Sequence, residues 1–139
     1  MQDDSLTNFK YMKRILFLLI VIFATGMVSA QQREASITVV GDAVHDFGDI
    51  KESNGIVSHT FTVLNNGELP LVISRVIASC GCTQPDWTQE PIAPGKTGEI
   101  KVSYDPTGRS GEPPFTKTIA VYSNGKTGNY VLTIKGDVK

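Results

Sequence analysis

Two cysteines separated by a single glycine are the residues of this chain best suited to chemistry. Cys80 and Cys82 are its only cysteines, and they lie between an apolar segment and Thr83. In an extended backbone, residues two positions apart lie about 6.5–7 Å apart on one face, at the upper limit for a disulfide. Gly81 can bend the backbone and shorten that distance. A Cys80–Cys82 disulfide would close a very short loop and would stabilise the fold by only about 1.5 kcal/mol through the entropy of the unfolded chain. So small a contribution is more typical of a labile disulfide than of a structural one.

Two other interpretations of the pair stay open. Two thiolates at this spacing could bind a soft ion such as Cu(I), which tolerates few ligands. Zinc normally takes four ligands, so His45 or His59 would have to converge on the cysteines in the fold. In the third interpretation, Cys80 and Cys82 are small buried residues that close the end of a sandwich, reduced or bridged, without any further role.

The N-terminal region has the composition of a secretory signal. Basic residues come first, an apolar run follows, and small residues close it: Lys10, Lys13 and Arg14, then Ile15–Val28, then Ser29 and Ala30. This order predicts a signal peptide over residues 1–30, cleaved after Ala30, and a start at Met12 would give a cleaner basic region. The run is too short and interrupted for a membrane anchor. We therefore expect export, to the periplasm, the medium or the cell surface, with no membrane span after cleavage.

Cleavage would leave residues 31–139, enough chain for a single domain. The formal net charge of the whole chain is −1 and no basic cluster occurs. A nucleic-acid-binding domain would be expected to show a strongly positive face. Composition therefore argues against a nucleic-acid partner.

Alternation of apolar and polar residues predicts an all-β domain. In the segment 57–65, Val57, Phe61 and Val63 alternate with polar residues, as expected of a half-buried antiparallel strand. The predicted strands are Ser36–Val40, Phe47–Ile50, Val57–Asn65, Leu71–Ala78, Gly98–Tyr104, Thr116–Ser123 and Asn129–Gly136. Asn66-Gly67 and Asn124-Gly125 are turn signals that tolerate positive φ. About seven short strands in a domain of this size indicate an immunoglobulin-like antiparallel β-sandwich.

Motifs of known enzymes are missing or incomplete. Asp46-Phe47-Gly48 matches the kinase magnesium triplet without the other kinase motifs. No Gly-x-Ser-x-Gly segment occurs, and His45 and His59 are the only imidazole bases available to a nucleophile. We therefore expect that the protein is not an enzyme.

Several segments together resemble one protein family. They are Phe47-Gly48-Asp49-Ile50, His59-Thr60-Phe61, Asn65-Asn66-Gly67, Pro70-Leu71-Val72-Ile73, Ser79-Cys80-Gly81-Cys82-Thr83, Ile92-Ala93-Pro94-Gly95 and Ser123-Asn124. This pattern resembles the bacterial domain-of-unknown-function family numbered 1573, over nearly all of Asp46 to Gly136. The resemblance implies an exported immunoglobulin-like sandwich related to the Hydin and major-sperm-protein domains. It implies no activity, and it carries over Cys80 and Cys82 only as a motif of undetermined role.

The function expected from the sequence is that of an exported, non-enzymatic module, structural or protein-binding, without a cofactor. Its partner would be another envelope or secreted protein, bound by a sheet face or by strand addition at an edge. Trp87 is a candidate contact because aromatic residues are enriched at interface hot spots. The alternative for Trp87 is that it caps the core. The alternative function is a thiol redox or copper-handling protein that uses Cys80 and Cys82, with Cu(I) as its metal.

Overall fold

The computed structural model describes residues 4–24 and 32–139, which belong to two compact units, residues 1–32 and 33–139. The described part of the first unit is a helix, α1 (Asp4–Ala24). This helix includes much of the predicted signal peptide, whereas the predicted cleavage site after Ala30 lies outside the described residues. Among the described residues, no helix combines the length and the apolar character needed to cross a bilayer.

The second unit is a sandwich of two four-stranded sheets. Its strands are β1 (Ile37–Val40), β2 (Val44–Ile50), β3 (Val57–Asn65), β4 (Ile73–Ala78), β5 (Thr83–Trp87), β6 (Thr97–Tyr104), β7 (Phe115–Ser123) and β8 (Asn129–Val138), with a short 3-10 helix at Glu52–Asn54. The first sheet has the order β1-β3-β6-β5 and the second has the order β2-β8-β7-β4. The predicted all-β sandwich is therefore confirmed.

Two details of the strand arrangement differ from the prediction. The described residues form eight strands rather than about seven, because β5 contains Pro85, a residue that predicts a loop. Proline is tolerated there since β5 lies at the edge of its sheet. The second difference is that β2 pairs with β8 in parallel, with Val44 opposite Thr133, so the sandwich is not wholly antiparallel.

The chain changes sheets between β1 and β2. Gly41 follows β1 with a φ of 89°, a left-handed conformation that favours glycine. After this bend, β2 pairs with β8 in the second sheet and not with β3, which is the partner of β1. As a result, among the described strands, β3 has a neighbour on its β1 side only from Thr62 to Asn65.

The core lies between the two sheets and follows the predicted period of two. Its fully buried side chains include Phe61, Val63, Ile100, Val102, Ile119, Leu132 and Ile134. Complete burial of an aliphatic or phenyl side chain contributes about 1.5–3 kcal/mol. At one end, the rings of Tyr104 and Phe115 stack with their centroids 4.0 Å apart. This end of the sandwich carries the cysteines, since Thr83 lies opposite Tyr104.

The two asparagine–glycine segments have a different role from the one predicted. No residue of either pair has a positive φ. Gly67 is needed for space, because a Cβ atom there would lie 2.3 Å from the carbonyl oxygen of Glu34. The buried residue of this segment is Asn65, whose Nδ2 donates to the carbonyl oxygens of Leu69 at 2.7 Å and Ile92 at 2.8 Å. Asn65 thus connects the loop that follows β3 with the loop that precedes β6, at the end of the sandwich away from the cysteines.

Candidate functional site

Cys80 and Cys82 lie in a tight turn that leads from β4 in one sheet to β5 in the other. The N–H of Thr83 donates to the carbonyl oxygen of Cys80 at 3.2 Å, which closes the turn. The turn brings the two Cα atoms to 5.3 Å, and a disulfide joins the side chains. This separation lies within the usual range for a disulfide, whereas the extended geometry considered from the sequence lies at its upper limit.

The chain bends at Gly81, as the sequence suggested, but without a conformation that only glycine adopts. The φ of Gly81 is not positive, so this position does not need glycine for its backbone conformation. Apart from Cys80 and Cys82, no residue has an atom within 4 Å of a Cβ atom built on Gly81. The missing side chain therefore leaves open space beside the disulfide.

The two sulfur atoms have different surroundings. The Sγ atom of Cys80 accepts a hydrogen bond from the N–H of Cys82 at 3.2 Å. Cys82 packs against the hydrophobic core. The hydroxyl of Thr83 is 3.8 Å from both sulfur atoms. An N–H donor aimed at one sulfur favours negative charge on that sulfur.

A polar cavity of about 330 Å³ lies beside the turn. It is lined by Gly81, Cys82, Gln84, Ser103, Asp105 and Arg109, with Ile56 and Thr107. Hydrogen bonds from the hydroxyl and the N–H of Thr107 hold the pKa of Asp105 below its usual value, so that this carboxyl is charged at neutral pH. Arg109 forms an ion pair with Glu112 at 3.5 Å. Cys82 therefore adjoins an open space that is lined in part by charged residues.

The two histidines pair with each other across the sheets. The rings of His45 on β2 and His59 on β3 stack with centroids 3.6 Å apart. Burial, and then the neighbouring His45, lower the pKa of His59. Within residues 4–24 and 32–139, no three histidine, cysteine or acidic side chains are grouped as metal ligands would be. The convergence of a histidine on the cysteines, which zinc would require, is therefore not seen in this part of the chain.

Trp87 closes the sandwich at the edge formed by β4 and β5. Its indole Nε1 donates to the carbonyl oxygen of Ile73 at 3.3 Å, and its partly buried ring packs against the core. These contacts connect the two sheets and favour the interpretation in which Trp87 caps the core. A contact with a partner protein stays a prediction.

The opposite edge of the sandwich contains a second opening. Val57–Phe61 of β3 pairs with β6 on one side. On the other side, where β1 has already ended, the described strands provide no partner. A cavity of about 290 Å³ lies here, lined by Val40, Val44, His59 and Thr60 among others. The sequence showed the strand but not this unpaired half, because the change of sheet at Gly41 has no clear sequence signal.

Comparison with protein-family models agrees with the resemblance found in the motifs. The model described as "Protein of unknown function (DUF1573)" matches residues 38–138. The chain belongs to this family. The DUF1573 match covers β2 to β8 and nearly all of β1, so it includes the Cys-Gly-Cys turn and Asn65. No curated protein is significantly similar to the chain in sequence.

Solved structures similar to this DUF1573 chain are also β-sandwiches. A protein of unknown function from Porphyromonas gingivalis W83 has a TM-score of 0.66 at 14% identity, over 81% of this chain and 51% of that one. A PapD-like domain of human CEP192 has a TM-score of 0.60 at 6% identity, over 81% of this chain and 93% of that domain. The YadV chaperone has a TM-score of 0.54 at 14% identity, over 75% of this chain and 52% of the chaperone. This chain thus spans about half the length of the Porphyromonas protein, and these likenesses show the fold alone.

We expect that the disulfide contributes little to the stability of the DUF1573 domain. Replacing both cysteines by serine should lower the free energy of unfolding by about 1–2 kcal/mol, since the closed loop is very short. Urea unfolding of the double variant, with the reduced wild-type protein as control, measures this value. A loss above about 3 kcal/mol would identify a structural disulfide.

Proposed function

We propose that this protein is an exported, non-enzymatic binding module that takes up an extended segment of another envelope or secreted protein. The observation that carries the proposal is the unpaired half of β3. β3 is nine residues long and β1 is only four residues long, so no described strand pairs with the main chain of Val57–Phe61 on the β1 side. Strand addition to such an edge provides affinity through main-chain hydrogen bonds.

The surroundings of this edge suit a short apolar strand. A segment of about five residues would span the open half of β3. Val40 and Val44 flank the cavity at this edge and are 54% and 49% exposed. An apolar side chain of the partner strand would contact both valines, and alternate side chains of such a strand would point to the same face.

Two further observations support export and protein binding. Residues 1–30 have the composition of a signal peptide. YadV, one of the proteins of similar fold, is a chaperone. Its low identity transfers only the fold to this chain, so the edge geometry carries the argument for binding.

To test this proposal, the exposed Thr60 is replaced by a photo-crosslinking residue, and the variant is produced in the native host. We expect a specific cross-linked partner in the envelope or secreted fraction. Val40→Lys with Val44→Lys should weaken that capture roughly tenfold, since a loss of about 1.4 kcal/mol has this effect. A charge at an open strand edge opposes strand addition.

Ile77→Lys is the control for a lysine placed at a different edge. Ile77 is 43% exposed, and it lies on β4 at the other edge of the second sheet. This variant should capture the partner as well as the wild type does. Equal loss in both variants, or cross-linking that is independent of Val40 and Val44, would show that the partner binds elsewhere.

A further inference from the structure

We propose that the Cys-Gly-Cys turn is a thiol–disulfide exchange site that oxidises a dithiol with basic flanking residues, and that Cys82 is the sulfur attacked. This proposal does not depend on the binding edge at β3. It rests on access to one sulfur, on stabilisation of the other as a thiolate and on the charge around the cavity.

Access to the cavity favours Cys82 as the sulfur that is attacked. Of the two cysteines, Cys82 lines the cavity of about 330 Å³, together with Gly81. At Gly81, where a Cβ atom would meet no residue other than Cys80 and Cys82 within 4 Å, the surface of the turn is open to a second chain. Because the backbone of Gly81 does not require glycine, a role in access explains this residue better than a role in folding.

The hydrogen bonds favour Cys80 as the leaving group. Its Sγ atom accepts the N–H of Cys82 at 3.2 Å, whereas the Thr83 hydroxyl is 3.8 Å from both sulfur atoms and does not distinguish them. Hydrogen bonds to the thiolate lower its pKa, and a thiol of lower pKa leaves faster in exchange. Attack on Cys82 therefore expels Cys80, whose thiolate is stabilised by the hydrogen bond from the N–H of Cys82.

The charges around the cavity indicate the kind of partner. Asp105 and Arg109 are the charged residues of its lining, and Glu112 pairs with Arg109. These three side chains together carry one net negative charge. The guanidinium also has a buried Nε donor that finds no acceptor among the described residues. An excess of negative charge attracts a chain with basic residues, and basic residues also promote the thiolate form of a partner cysteine.

The exchange has two steps. In the first, a partner thiolate bonds to Sγ of Cys82, the Cys80–Cys82 bond breaks, and its electron pair leaves on Cys80. In the second, the other partner thiolate attacks its own sulfur in the mixed disulfide and expels Cys82. The partner loses two electrons and forms a disulfide. Cys80 and Cys82 gain these electrons, and the two protons released by the partner thiols are taken up by the new thiols.

The first experiment identifies the attacked sulfur in the unmodified protein. The oxidised protein is mixed with glutathione, quenched with an alkylating agent and analysed by peptide mass spectrometry. The expected product has glutathione on Cys82 and the alkyl group on Cys80. Glutathione predominantly on Cys80, or no mixed disulfide at all, would overturn the proposal.

The second experiment tests the partner charge with two reduced Cys-x-x-Cys peptides, one flanked by lysines and one by glutamates. At low salt, the lysine peptide should be oxidised at least about fivefold faster, and the ratio should shrink at high salt because screening weakens the attraction. Asp105→Asn with Glu112→Gln should remove most of the preference. The amide introduced by Asp105→Asn keeps an oxygen that can accept the hydrogen bond from the N–H of Thr107.

Glu90→Gln is the control for the loss of negative charge, since Glu90 is exposed in the loop that follows β5. It should retain the preference for the lysine peptide. Equal rates for the two peptides would overturn the assignment of a basic partner. Failure to oxidise either peptide would overturn dithiol oxidation itself.

Discussion

Replacing Asn65 by alanine should lower the free energy of unfolding by about 3–5 kcal/mol, because the change leaves one buried and several partly buried main-chain groups without their partner. Asn65 is completely buried. Its Nδ2 donates to Leu69 and Ile92, and its Oδ1 accepts from the N–H of Gly67 at 3.0 Å. Alanine can replace none of these bonds. Urea unfolding followed by circular dichroism measures the loss.

Two further variants make this prediction specific. Asn65→Asp keeps the shape of the side chain, but it turns a carboxylate oxygen toward two carbonyl oxygens, so it should destabilise at least as strongly as alanine. Asn66→Ala changes the exposed neighbour and should remain within about 0.5 kcal/mol of the wild type. Similar values for Asn65→Ala and Asn66→Ala would show that the hydrogen bonds of Asn65 are not needed.

Trp87→Ala should lower the free energy of unfolding by about 2–4 kcal/mol, since it removes an aromatic side chain that packs on the core. It also removes the hydrogen bond from the indole to Ile73. For a domain of this size, such a loss corresponds to a decrease in melting temperature of roughly 10 °C or more. Differential scanning calorimetry checks it.

Trp87→Phe separates the two contributions at this position. Phenylalanine retains most of the packing and lacks the N–H, so the expected loss is about 1 kcal/mol. An unchanged melting temperature in Trp87→Ala would contradict the capping role. The interpretation of Trp87 as a partner contact would then be the better one.

The alternation of residues is sufficient to locate most of the sandwich. The predicted strand Val57–Asn65 has the bounds of β3, and Asn129–Gly136 differs from β8 only at its C-terminal end. These strands are half-buried, so one polar face gives a clear period of two. The parallel pairing of β2 with β8 is not predictable in this way, because alternation reports which face is buried and not which strand lies alongside.

The candidate site is only partly predictable. The spacing of Cys80 and Cys82 is visible in the sequence, but their unequal surroundings depend on Arg109 and the cavity, which the fold brings to the turn. Asn65 appears in the sequence only as part of a motif, since asparagine before a turn is usually exposed. The stacking of the two histidines has no sequence signal, because a contact between sheets is not encoded in local spacing.

The parallel pairing of β2 also affects the order in which the domain assembles. Val44 pairs with Thr133, which lies 89 positions later in the chain. β8 is a central strand between β2 and β7, so the second sheet cannot form around it until residues 129–138 have been synthesised. The hairpin of β7 and β8 is local and can form early, whereas the addition of β2 closes a long loop. We therefore expect folding in the millisecond-to-second range that is typical of β-sandwiches dominated by long-range contacts.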